Sequence, residues 1–251
     1  MKIIVISLVE SVSRREYITQ HLFNLGVDFE FLDATKPNDL PQFKRNSAIA
    51  IWDSHVRAMT RFLNGTNECC LIFEDDIDLE SDLKLKYRIL INLDAIMKCL
   101  PDEYSIIQFG NMGFNKRNFM AKFLRNLYFF CRGRHRFDQE PLRKIIKNLG
   151  QFRYKKLQKD LRKFTGVRAK PLDGFATGAQ AYLLNRGAAD FLINDYSKRT
   201  EWDVNSRYSL DTHLEILSNS PNTPPQIRTI RMARSIFMQR PIASTNNYFP
   251  S

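Results

Sequence analysis

Apolar and polar positions follow two rhythms along this chain, and the switches between them mark its elements. The run Ile3-Ile4-Val5-Ile6 within residues 2–8 predicts a buried strand. Residues 11–26 carry helical spacing, with Ser13 and Glu16 as an S-x-x-E capping box and Gly26 as the stop. A second strand follows at 27–32, and strand, helix, strand within about 30 residues opens a parallel α/β sheet. Ile49, Trp52, Val56, Met59 and Phe62 predict a helix over 47–63, ended by Asn64-Gly65. Then come a strand at 69–73, a helix over 82–100 closed by Pro101, and a strand at 105–109.

The rhythm changes after Gly113. Between 114 and 168, Phe119, Phe123, Leu127, Phe130, Leu142, Ile145, Ile146 and Leu149 recur at helical spacing among cations, predicting two or three basic amphipathic helices inserted in the sheet. Asp173 opens a small-residue turn that reaches Gly178 and leads to a strand at 179–184, with helices at 186–194 and 209–217 beyond. The tail from Ser220 is proline-rich and polar and reads as a surface segment. Without internal repeats or a second apolar core, residues 1–251 read as one catalytic-sized domain.

The strand at 69–73 breaks directly into Glu74-Asp75-Asp76, with Asp78 two residues on. Adjacent carboxylates repel, so such a run is a well-solvated turn or is neutralised by a cation. Hard divalent ions such as Mn²⁺ and Mg²⁺ take carboxylate oxygens and keep positions for phosphate. Alternation along an extended strand would put Glu74 and Asp76 on one side and turn Asp75 away, to hold a ribose or buttress a loop.

Charge narrows the partner. The chain carries a net +11, yet residues 114–164 hold sixteen Lys and Arg against three acids, so the remainder is slightly acidic. That segment predicts an anionic partner. Cys69, Cys70, Cys99 and Cys131 lack metal-ligand spacing and read as buried thiols of a reducing compartment. The first apolar run is too short for a signal peptide, and no stretch reaches the roughly 18 apolar residues of a membrane span. The expected location is cytoplasmic, peripheral to the inner face of the cytoplasmic membrane.

Several chemistries are disfavoured. The chain has no P-loop, no G-x-G-x-x-G after the first strand and no G-x-S-x-G elbow, and its four histidines are scattered. A strand ending in acids within an α/β sheet suits a metal-bridged diphosphate, the need of a nucleotide-sugar transferase.

The motifs, in order, resemble those of glycosyltransferase family 25, the bacterial lipooligosaccharide galactosyltransferases and their relatives. Ile6-Ser7-Leu8 with Ser13-Arg14-Arg15-Glu16, Phe31-Leu32-Asp33-Ala34, Ala48 through Trp52-Asp53-Ser54-His55, Leu71 through Asp76, and Gly178 through Ala188 each match a family segment. The chain departs from the family pattern at Ala48 to Ala50 and at Gln108. The resemblance implies a GT-A fold with a mixed, mostly parallel sheet, a UDP-sugar donor (typically UDP-galactose), a divalent cation, Mn²⁺ or Mg²⁺, and inversion at the anomeric carbon. It places Ser7, Ala34, His55 and Gly178 in the nucleotide-sugar site. Arg14 and Arg15 follow the first strand, where they suit bidentate contact with the diphosphate. Asp33 lies where α/β folds read the nucleoside. Glu74 and Asp76 would hold the metal, with His213 completing the shell through imidazole. The base that takes the acceptor's proton would be Asp211, matching the family's late aspartate, or Asp173.

The expected partners are a UDP-sugar, a lipooligosaccharide or other glycan acceptor, and an anionic membrane surface met by the 114–164 segment. A basic nucleic-acid-binding module explains the charge but leaves the acids unexplained, so no nucleic acid is expected; a catalytically silent member of the fold is the other alternative.

Overall fold

The computed structural model describes residues 1–42, 46–110, 140–166, 170–174, 180–198, 224, 227–233 and 235–240. Seven strands form one sheet: β1 Lys2–Ser7, β2 Glu30–Asp33, β3 Cys69–Glu74, β4 Ile106–Gly110, β5 Pro171–Asp173, β6 Ala181–Asn185 and β7 Thr229–Met232. Their order is β2-β1-β3-β6-β4-β7-β5. β2, β1, β3, β4 and β7 run one way, while β6 and β5 oppose them. The sheet is therefore mixed, as the resemblance implies, where the opening strand–helix–strand pattern by itself predicts a parallel one.

Side-chain alternation explains why both faces are covered. Ile3, Val5, Leu71, Phe73, Ile107 and Leu183 point to one face, where they pack with Ile18 and Leu22 of helix α1 (Val12–Asn24). Ile4, Ile6, Cys70, Ile72, Tyr182 and Leu184 point to the other, against Trp52, Met59 and Phe62 of α2 (Ser47–Leu63) and Leu192 of α6 (Arg186–Ser197). Helices α3 (Leu83–Leu90), α4 (Leu93–Lys98) and α5 (Glu140–Thr165) complete the first layer.

Several expectations change in detail. α1 begins at Val12, with Ser11 as its N-cap and no side-chain capping bond, so Ser13 lies inside the first turn and the predicted box does not form. Leu8 O instead fixes the entry by accepting Ser11 N–H at 3.0 Å. The helix predicted over 82–100 is two, because the chain turns at Ile91 and Asn92 to keep Leu93 and Ile96 on the core.

The basic segment is described from Glu140 on. Ile145, Leu149, Tyr154, Leu157 and Leu161 are buried in the protein core. Gly150, at φ +74, breaks α5 into two segments, each of which can then face the core. The exposed side carries Arg143, Lys147, Arg153, Lys155, Lys156, Lys159, Arg162 and Lys163. Phe119, Phe123 and Phe130 lie outside the described residues, as do the predicted helix at 209–217 and Cys131. Among the described residues, no helix is long and apolar enough to cross a membrane.

The tail is the largest correction. Thr229–Met232 is an internal strand between β4 and β5, and Ile227, Ile230, Met232, Ile236 and Phe237 are buried. Proline and polar flanks hide this strand from a composition-based reading; its partners β4 and β5 lie about 120 and about 60 residues away in sequence. After β7 the chain crosses the sheet's end: Ile236 N–H donates to Phe109 O at 2.8 Å, and Phe237 packs between Phe73 and Phe109. Only glycine fits beneath it, since a Cβ on Gly110 would stand 2.6 Å from Phe237 O. Gly110→Ala should therefore lower the unfolding free energy by about 1–3 kcal/mol, the usual cost of overpacking, measurable by urea denaturation.

Candidate active site

The register sets Ser7 opposite Asp33 and Ile6 opposite Glu74, so the carboxyl ends of β2, β1 and β3 lie side by side. From β1 the chain passes along one face through α1 to β2, then along the other through α2 to β3. The gap between β1 and β3 is thus a topological switch point, where open α/β sheets bind ligands.

Asp75 closes the floor of this crevice. It is buried, and its carboxylate accepts the Ser7 hydroxyl at 2.7 Å and Arg14 at 3.0 Å. Arg15 donates to Ser7 O at 2.9 Å and Leu8 O at 3.1 Å, pairs with Asp33, and stacks on Phe31. Two cations in a helix's first turn oppose its dipole, and the two carboxylates offset that cost. Both guanidiniums thus help to build the crevice. Asp75 ties the end of β1 to the first turn of α1.

Ala34 N–H donates to Ser7 O at 2.8 Å, joining β2's end to β1. The Asp33 side chain is largely exposed, while its carbonyl accepts Arg57 at 3.0 Å. Thr35, whose hydroxyl meets Asp53 and whose N–H meets Ser54 Oγ at 2.9 Å, ties this edge to α2.

β3 stops at Glu74, and Asp75 and Asp76 form a turn, so strand alternation does not extend to Asp76. Glu74 faces α2, 3.6 Å from His55 Nε2; His55 is fully buried, and its Nδ1 lies 2.8 Å from the Tyr182 hydroxyl. His55 therefore lies beneath Glu74. Tyr182 was not singled out from sequence, although the period of β6 places it on the α2 face.

Asp76 is held by the tail. Gln239 Nε2 donates to its Oδ2 at 2.7 Å, and Arg240 N–H donates to its main-chain oxygen at 2.7 Å. Oδ1 is buried and has no hydrogen-bond partner among the described residues. Burial, then the charge of Glu74, raises the Asp76 carboxyl from 3.8 to about 6. Asp78 leaves the group: it binds Ser81 and the buried Lys86 and so anchors the far side of the acid loop. Burial raises its pKa, but the Ser81 hydroxyl and backbone bonds leave it lowered on balance.

Asp173 does not join the acids. It ends β5, four strand positions from β3, or roughly 19 Å at the usual strand spacing. Its buried carboxyl accepts Tyr104 OH at 3.2 Å and Asn148 at 3.0 Å, and burial raises its pKa. These are the bonds of an internal structural carboxyl. Asp211, His213 and Gly178 lie outside the described residues.

Among the described residues, no three His, Cys, Asp or Glu side chains converge as a complete metal shell. An orphaned carboxylate oxygen beside a second carboxylate nonetheless fits a cation of the Mg²⁺ kind, which takes one or two protein carboxylates and fills its shell with water and substrate phosphate. The thiols do not compete, since burial raises Cys69 to about 12 and Cys99 to about 11.

A mixed α/β sheet with acids at its switch point fits a glycosyltransferase fold. Residues 1–207 match the family model of glycosyltransferase family 25, described as an LPS biosynthesis protein, and the chain belongs to that family. No curated protein matches it. The tail residues Gln239 and Arg240 lie beyond the matched part, as do Asp211 and His213.

The raised carboxyl of Asp76 carries a sign. Its pKa is about 6 in the fold and near 3.8 unfolded, so its ionisation destabilises the fold as pH rises between those values and has no effect below them. Asp76→Asn should therefore stabilise chelator-treated protein at pH 8 by about 1–3 kcal/mol and leave it unchanged near pH 4, as read by thermal melts at both pH values.

Proposed function

We propose that this chain is a metal-dependent, inverting GT-A galactosyltransferase that moves galactose from UDP-galactose to a lipooligosaccharide acceptor. The observation that carries the reading is the Asp76 carboxylate: it sits at the switch point with one oxygen pinned by Gln239 and the other buried without a partner among the described residues. Family membership supplies the reaction class.

In this reading Asp76 and Glu74 hold the cation, and the bound cation would take the charge that the diphosphate gains as it leaves. His55, set by Tyr182, keeps Glu74 turned to the crevice, and Arg14 keeps Asp75 folded beneath it. The acceptor hydroxyl oxygen attacks the anomeric carbon as its bond to UDP breaks, with Asp211 taking the proton. The exposed cations of α5 dock the enzyme on anionic lipid at the inner face of the cytoplasmic membrane, each contributing about 1 kcal/mol near the surface.

A panel of UDP-sugars tested for Mn²⁺-dependent transfer and hydrolysis should single out UDP-galactose, and Asp76→Ala should lower turnover by about a thousandfold or more while the protein stays folded. Full activity in that variant would sink the metal assignment. Because α5 supplies core residues, the membrane role calls for charge changes with the helix kept whole. Replacing Lys155, Lys156, Lys159 and Lys163 with Gln should weaken binding to phosphatidylglycerol vesicles by about a hundredfold or more and leave hydrolysis of soluble donor unchanged.

A further inference from the structure

Arg14 and Arg15, expected at the donor diphosphate, are both committed to protein carboxylates and carbonyls. A further guanidinium is carried by the segment that holds Asp76. Arg240 follows Gln239 on the segment bridged to Ile77, and its N–H bond to Asp76 O fixes its backbone beside the metal-site acid. Its side chain crosses the Tyr17 ring 3.5 Å from the centroid. Tyr17 is itself anchored, its hydroxyl accepting Leu79 N–H at 2.9 Å, so the guanidinium rests on a fixed platform on α1, the helix whose first turn lines the crevice.

Stacking uses the guanidinium's face and leaves its five N–H donors at the edge. Among the described residues these donors make no hydrogen bond or salt bridge, and Glu80, Arg240 and Asp78 each act on the Tyr17 hydroxyl. A pre-oriented, half-buried guanidinium whose edge donors are unused among the described residues is suited to an anion with several oxygens, and phosphate is the match in shape and charge. A diphosphate approaching Glu74 and Asp76 needs positive charge beyond that of Arg14 and Arg15, which protein carboxylates already pair.

We infer that Arg240 binds the phosphate oxygens of the nucleoside diphosphate, both in the donor and in the departing product. The inference rests on the nucleotide-sugar reading above and adds to it a binding residue outside the family-matched segment.

The test is titration of UDP and of uridine, with Mn²⁺ present, into the full chain and its Arg240→Met and Arg240→Lys variants. Methionine keeps an apolar stem over Tyr17 and removes the donors. The expected result is a loss of UDP affinity of about tenfold or more in Arg240→Met, the scale of a charge-assisted hydrogen bond, with uridine binding unchanged and Arg240→Lys in between. Equal losses for UDP and uridine would mean that Arg240 only steadies the tail, and would overturn the inference. Wild-type UDP affinity in Arg240→Met would overturn it too, leaving the nucleotide-sugar reading standing. If the unmodified protein binds no UDP or UDP-sugar, that reading falls and the Arg240 assignment falls with it.

Discussion

The site depends on one electrostatic constraint: the Asp75 carboxylate is buried where β1 and β3 part, and a buried charge must be paired and hydrogen-bonded. Ser7 from the end of β1 and Arg14 from the first turn of α1 meet that demand together. The same bonds tie strand end, helix start and acid turn into one unit. With Asp75 neutralised inside, Glu74 and Asp76 are held apart on either side of it, each by a different part of the chain.

That division of labour gives each acid its own chemistry. Glu74 is set from below by His55 and Tyr182, a buried pair joining α2 to β6. Asp76 is set from the side by the tail, and its other oxygen is buried with no hydrogen-bond partner among the described residues. An unmet acceptor lowers stability and is retained where it serves a ligand. Phe237 and Gly110 anchor the tail, so a packing contact at the sheet's end governs the geometry of a carboxylate beyond it.

The basic segment serves two ends. One side of α5 completes the core through Ile145, Leu149, Leu157 and Leu161, while the opposite side presents its Lys and Arg to solvent. An amphipathic pattern shows that one face is buried without saying in what. A protein interior and a lipid surface select the same spacing of apolar residues, which is why the segment's apolar stripe reads equally well as a lipid-facing one.

Periodicity alone determined most of the elements: β1, α2, β3, β4 and β6 stand close to where apolar spacing places them, because each buries its apolar side chains on a face of the sheet. The acid run, too, is plain in the chain, and its place after a buried strand marks the crevice. What the chain could not reveal are the contacts that join distant residues. β7 lies in a polar, proline-flanked tail and becomes a strand only because β4 and β5 offer it edges to pair with. Arg14 and Arg15 belong to Asp75 and Asp33, while Gln239 and Arg240 reach Asp76 across more than 160 residues. Asp173, equal to any other aspartate in sequence, is set apart from the acids by four strand positions. Local periodicity records which face of an element is buried; only the closed sheet decides which charges share the space at its end.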